Sequence, residues 1–129
     1  MSTKQTLSKD ERLKSSLGIE DLLKNGHTES GFPLKIFWSY SGDSRQKSPV
    51  RVAVLVPRRK FKRAVDRNLM KRRIREAYRL NKNLIYEPLA ERNLNISLII
   101  LFLSDEFISF ERLESGMQVL LLRLVKKLS

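Results

Sequence analysis

Cysteine is absent from the 129 residues, which excludes a disulfide framework, a thiolate metal site and a cysteine nucleophile. A single histidine, His27, excludes any centre built from two or three imidazoles. Long apolar runs are also missing. The longest, Leu98–Leu103, falls far short of the ~20 residues a membrane-spanning helix needs. The opening MSTKQTLSKDERLKSS has no apolar stretch behind its charges and does not read as a secretory signal. These absences point to a cytoplasmic protein, away from membranes, that is not a zinc protein. What remains is 41% hydrophobic, enough for one real core, and the length suits one domain.

Acids are few as well: 14 against 26 lysines and arginines, for a net charge of +12. Such an excess is the footprint of a polyanion binder. It is unevenly placed. From Arg58 to Arg79 there are eleven bases against two acids, Asp66 and Glu76, so these 22 residues hold +9 of the total. A merely solvated surface would spread its charge more evenly.

Residues 1–7 read as a flexible tail and 8–129 as a single domain. Ser8-x-x-Glu11 has the pattern of a capping box and suggests a helix start. Leu13, Leu17, Leu22 and Leu23 then line its side, Gly18 interrupts it, and Gly26 ends it by accepting a left-handed backbone. HTESGFP at 27–33 reads as loop. LKIFWSY at 34–40 alternates with period two, with Leu34, Ile36, Trp38 and Tyr40 on one face and Lys35, Phe37 and Ser39 on the other. Turn residues at 41–49 predict a hairpin to a β-branched strand, 50–56. ISLIILFL at 96–103 is apolar on both faces and predicts a central strand. Ser109 caps a last helix on which Leu113, Met117, Leu120, Leu121, Leu124 and Leu128 recur at helical spacing.

Between the second and third of these strands, residues 64–82 form an amphipathic helix. Val65, Leu69, Met70, Ile74, Ala77, Tyr78 and Leu80 cover one arc; Arg67, Asn68, Lys71, Arg72, Arg75 and Arg79 fill the other. Arg73 projects into the apolar side, with its stem free to snorkel to the boundary. Strand, helix and strand make a β-α-β unit, so the fold class is α/β or α+β on one sheet. Arginine outnumbers lysine on the helix, and a guanidinium grips phosphate with two hydrogen bonds where lysine offers a point charge. The loop PRRKFKR at 57–63 adds Arg58, Arg59, Lys60, Lys62 and Arg63 around Phe61, a ring that either stacks on a base or anchors the loop. The one histidine, His27, falls in the expected loop with no catalytic triad apparent around it, and the carboxylates are too scattered for a two-metal nuclease.

The helix carries a resemblance. Ala64-Val65, then Arg67-Asn68-Leu69-Met70-Lys71-Arg72-Arg73-Ile74-Arg75-Glu76, resembles the signature helix of the bacterial ribonuclease P protein subunit. Leu7–Gly26 resembles that family's N-terminal segment, with Glu11-Arg12-Leu13-Lys14 in its usual place, and Arg51–Arg59 resembles its strand running into a pair of bases. About 110 residues fit. The resemblance implies an α/β (α+β) two-layer sandwich, element order α-β-β-β-α-β-α, with a left-handed β-α-β crossover. It implies a subunit of a ribonucleoprotein endonuclease that removes the 5′ leader from precursor tRNA. The catalytic RNA performs the chemistry with magnesium; the protein holds no cofactor tightly and has no catalytic residue. Arg67, Asn68, Lys71, Arg72 and Arg75 would contact that RNA, flanked by Arg58 and Arg59, with Lys60, Lys62, Arg63 and Arg79 extending the surface.

The leader would lie in a cleft between the first helix and the sheet, implicating Phe37 or Trp38 with Ile19 and Leu23. The last two stand where the family has phenylalanines, and an aliphatic side chain cannot stack as a ring does. Leu69 stands where arginine is common. Phe37 shares its face with Lys35 and Ser39, the more open and basic setting, and is the expected cleft residue. The alternative is a ribosomal or other structured-RNA-binding protein with no processing role. A DNA-binding regulator fits less well, because a β-α-β setting is not a helix-turn-helix.

Overall fold

A computed structural model describes residues 9–14, 16–42, 46–59 and 61–128. The expected tail, 1–7, and the Ser8 cap lie outside the described residues. A 3-10 turn at Lys9–Glu11 opens a strap, residues 9–14, ahead of helix α1 (Ser16–Asn25). Strands β1 (His27–Gly31), β2 (Leu34–Tyr40) and β3 (Val50–Leu55) follow, then α2 (Ala64–Asn81), α3 (Asn83–Arg92), β4 (Ile96–Phe102) and α4 (Phe110–Lys127). The strands form one mixed sheet in the order β1-β2-β4-β3, an α+β architecture.

β4 occupies the middle, antiparallel to β2 and parallel to β3. Its place follows from its composition: Ile96, Leu98, Ile100 and Phe102 are fully buried on one face and Ile99 on the other. The expected hairpin between 34–40 and 50–56 does not form. A strand apolar on both sides loses most by standing at an edge, so β4 takes the slot between them. Of the loop read at 27–33, residues 27–31 are instead β1, paired with β2 from His27↔Trp38 to Gly31↔Leu34, and Phe32 and Pro33 form the turn. HTESG has no apolar alternation, and edge position is what tolerates that polarity.

One face of the sheet supplies Leu34, Ile36, Trp38, Val50, Val52, Val54, Ile96, Leu98, Ile100 and Phe102 to the main core. α2 packs on it through Met70, Ile74, Ala77 and Tyr78, α3 through Ile85 and Leu89, and α4 through Leu113, Met117, Leu120, Leu121 and Leu124. The apolar seam of α2 is narrower than expected, since Val65 and Leu80 stay exposed. α3 has no counterpart among the elements expected from sequence: Pro88 lies inside it and disguises the helical spacing of Ile85 and Leu89. Asn93 ends it in the left-handed conformation.

α1 lies on the other face, where Leu22 covers Phe37 and Ile99. Gly18 does not interrupt it. Gly26 does follow its end, but for a different reason than expected. No described glycine has positive φ; a Cβ at Gly26 would stand 2.6 Å from the Leu22 carbonyl oxygen and 3.2 Å from that of Trp38. The glycine lets helix and strand backbones approach.

The strap is stitched to the edge of β3. Arg12 bridges Val52, and the Leu13 amide donates to the Val52 carbonyl at 2.9 Å. Asp10 accepts from the Ser48 hydroxyl (2.5 Å), the Lys47 amide (3.0 Å) and Arg51 Nη2 (3.3 Å). Ser48 is the main cause holding its carboxyl at about 2, below the ordinary 3.8. A carboxyl depressed on folding stabilises the fold above its unfolded pKa and loses that contribution as pH falls through the folded value. Stability should therefore drop as pH falls from 3.8 towards about 2. Acid titration of the unfolding free energy should show a shallower drop in Asp10→Asn; an identical drop in both proteins would contradict the account.

Candidate nucleic-acid interface

Burying Met70, Ile74, Ala77 and Tyr78 turns the opposite side of α2 outward. Asn68, Arg72 and Arg75 are exposed there and Lys71 is half-buried beside them. The 57–63 loop brings Arg58, Arg59, Lys62 and Arg63 to the same end of the helix, all exposed. Lys60 lies outside the described residues. Arg63 approaches Asp66 at 3.9 Å on the open surface, a pairing that contributes little. Phe61, left open between two roles, is buried: its ring stacks on Phe102 at 5.8 Å and meets Phe107 at 5.0 Å. It anchors the loop.

Three of the arginines turn away from this surface. Arg67 Nη1 donates to the backbone carbonyls of Phe61 (2.8 Å) and Lys62 (2.9 Å), clamping the basic loop to the first turn of α2. Arg73 donates to the Ile108 carbonyl at 2.9 Å and ties the segment before α4 to α2. Arg79 grips Glu76 with both arms of its guanidinium, Nε at 3.0 Å and Nη2 on the second oxygen, and its side chain is 14% exposed. The hydrogen bond from Arg79 holds the Glu76 carboxyl below its ordinary range, so the pair stays ionised and neutral overall.

The residues expected at the leader cleft separate. Trp38 faces the main core, 1% exposed, with the His27 ring at 4.5 Å and the Tyr40 ring at 5.4 Å. Phe37 is on the α1 face as expected, yet it is 7% exposed. α1 crosses directly over it, so the openness inferred from Lys35 and Ser39 is absent; Lys35 Nζ lies 5.1 Å from its ring. Ile19 is half-buried in that small cluster, and Leu23 stands 38% exposed. The apolar side chains that this face leaves accessible are aliphatic: Leu55 and Leu101 in part, with Leu17 and Leu23 of α1 beside them.

Two cations that carry no role in the sequence reading join the site. Arg12 and Lys14 of the strap line a cleft of about 440 Å³, with Arg72, Arg75, Glu76 and Arg79 of α2 on its other side. Asp10 and Glu11 beside them make the strap look neutral in sequence. The available signal is the spacing: Arg12 and Lys14 are two apart, and an extended segment puts them on one side. Among the described residues no group of three or more histidines, aspartates or glutamates could hold a metal ion. No described helix is long and apolar enough to cross a membrane.

Comparison with known proteins gives a consistent picture. Residues 7–125 match the family Ribonuclease P. The ribonuclease P protein component of Porphyromonas gingivalis is 36% identical over 118 residues, covering 92% of this chain and 85% of that protein. The one from Chlorobaculum tepidum is 37% identical over 94 residues, 70% of this chain and 61% of that one. Among solved structures, the RNase P protein of Thermotoga maritima superposes with a TM-score of 0.69 at 24% identity, over 88% of this chain and 96% of that one. That of Staphylococcus aureus gives 0.66 at 19%, over 90% and 95%. At these identities the structural likeness speaks to the fold.

The division among the arginines is measurable. Removing one cation that neutralises a phosphate flattens log K for RNA against log salt by ~0.7–0.9. Arg72→Ala with Arg75→Ala should flatten it by about 1.4–1.8. Arg79→Ala, which removes a charge already bound to Glu76, should leave the slope unchanged. Equal flattening per residue from all three would mean that only net charge matters.

Proposed function

The chain belongs to the ribonuclease P protein component family, part of an endoribonuclease complex that processes tRNA, and on that premise we propose that it is the RNA-binding subunit of a ribonucleoprotein whose RNA removes the 5′ leader of precursor tRNA in the cytoplasm. The observation that carries this reading is the outward arc of Arg72, Arg75, Lys71 and Asn68, continued by Arg58, Arg59, Lys62 and Arg63 on a loop that Arg67 holds in register. A surface of this kind neutralises a folded RNA backbone; guanidiniums on a rigid helix keep their spacing and lose little freedom on binding.

The chemistry belongs to the RNA. The family resemblance assigns magnesium to the RNA; among the described residues no group of three or more histidines, aspartates or glutamates could hold a metal ion. The protein binds, orients and screens charge between two polyanions that would otherwise repel. The aliphatic strip beside α1 is where a single-stranded leader fits. Its gripping groups are Leu23, Ile19 and the neighbouring sheet positions, with Phe37 acting from below by holding α1 in place.

Purified protein incubated with precursor tRNA and magnesium should cleave nothing. Addition of the catalytic RNA should give cleavage at the mature 5′ end, faster with the protein than without it. Cleavage by the chain after all RNA has been digested away would overturn the assignment of chemistry. A chain that neither binds that RNA nor speeds its reaction would overturn the subunit assignment and leave a plain RNA-binding protein.

A further inference from the structure

Two acids at the edge of a polyanion-binding surface are electrostatically misplaced unless something else needs them. Asp10 and Glu11 are both turned inward. Glu11 is 7% exposed, and its Oε2 accepts from Lys82 Nζ at 2.6 Å and from the Tyr86 hydroxyl at 2.5 Å. Lys82 lies between α2 and α3, and Tyr86 is on α3. Burial pushes the Tyr86 phenol far above its ordinary value, so it remains a donor. A buried carboxylate held by a cation and a phenol is unfavourable to desolvate and strongly destabilising to break. It joins the strap to the α2–α3 corner, while Asp10 joins it to β3 and the segment before it.

The latch fixes what comes next. Arg12 and Lys14 leave the strap on its exposed side and face Arg72 and Arg75 across the cleft. The floor is aliphatic: Leu13, Val52, Ala53 and Val54. The Glu76–Arg79 pair also lines it, already neutral. A volume of about 440 Å³ lies within the range of small-ligand sites. An apolar floor suits the flat face of a base, and cations on two sides suit the phosphates before and after it. Bases in a duplex are stacked and paired and cannot enter.

We infer that the strap is a wall of the RNA interface, and that Arg12 and Lys14, positioned by the Glu11 latch, bind with Arg72 and Arg75 an unpaired RNA nucleotide in this cleft. The inference rests on the reading that the chain binds RNA, and adds the form of RNA that this part of the surface selects. Arg12 and Lys14 are ligands; Glu11 and Tyr86 act only by placing them.

The test exploits a sign. Glu11→Ala removes a negative charge, so electrostatics alone makes the protein bind RNA more tightly. Loss of the latch makes it bind more weakly. Affinities of the full chain are measured across a salt series for a 20-nucleotide single-stranded RNA and for the same sequence in a duplex. Glu11→Ala should weaken single-strand binding by about 3- to 10-fold, and Tyr86→Phe, which changes no charge and keeps the ring, should weaken it in the same direction. Arg12→Gln with Lys14→Gln should weaken it further and flatten the single-strand salt slope by about 1.4, or ~0.7 for each cation, with a smaller effect on the duplex. Tighter binding by Glu11→Ala, or unchanged binding by Tyr86→Phe, overturns the latch. Equal weakening on single strand and duplex in the double variant overturns the nucleotide cleft while leaving RNA binding intact. An unaltered chain that binds neither RNA overturns the functional reading itself, and this inference with it.

Discussion

The arginine face exists because α2 cannot rotate. Met70, Ile74, Ala77 and Tyr78 are fully buried against the sheet and α4, and burying Met70 or Ile74 alone is worth roughly 1.5–3 kcal/mol. Turning the helix by one residue's worth of angle would lift that seam into water. It would also push Arg72 or Arg75 towards the core, where an unpaired charge costs several kcal/mol more. Apolar packing therefore fixes which cations point outward, and the electrostatic surface is a consequence of the core.

Cations near the boundary of that seam meet a second constraint. A guanidinium at the edge of a core must find acceptors, and it takes the nearest ones. Arg67 finds loop carbonyls, Arg73 finds Ile108 and Arg79 finds Glu76. Each bond fixes a neighbouring element: the basic loop, the segment before α4 and the side chain of Glu76 in the cleft. The strap repeats the logic with opposite sign. Asp10 and Glu11 are engaged by internal donors, which leaves Arg12 and Lys14 facing solvent. Structural and solvent-facing charges thus alternate along the same short segments.

That alternation limits what the sequence can reveal. The central place of β4 is legible because a strand apolar on both faces has one good position. The cores of α2 and α4 are legible from their spacing. The polar edge strand β1 is not, because its pairing is dictated by the free edge of β2 and not by its own residues. Pro88 hides α3, and the expected hairpin fails because adjacency in sequence is not adjacency in the sheet. At the interface, the basic stretch is plain, but its division is not: the partners of Arg67 and Arg73 are backbone carbonyls, which have no sequence signature. Strand alternation puts Phe37 on the correct face, but the helix that covers it lies earlier in the chain, out of reach of a strand's own pattern.

The central claim is that the helix arginines fall into two populations, and side-chain NMR of the guanidinium Nε–Hε groups observes them directly. On titration with the catalytic RNA, the signals of Arg72 and Arg75 should shift and broaden strongly. Those of Arg73 and Arg79, and of Arg67 on its loop carbonyls, should be dispersed already in the free protein and move little. Uniform perturbation of all five, with Arg67, Arg73 and Arg79 released from their internal partners, would contradict the account.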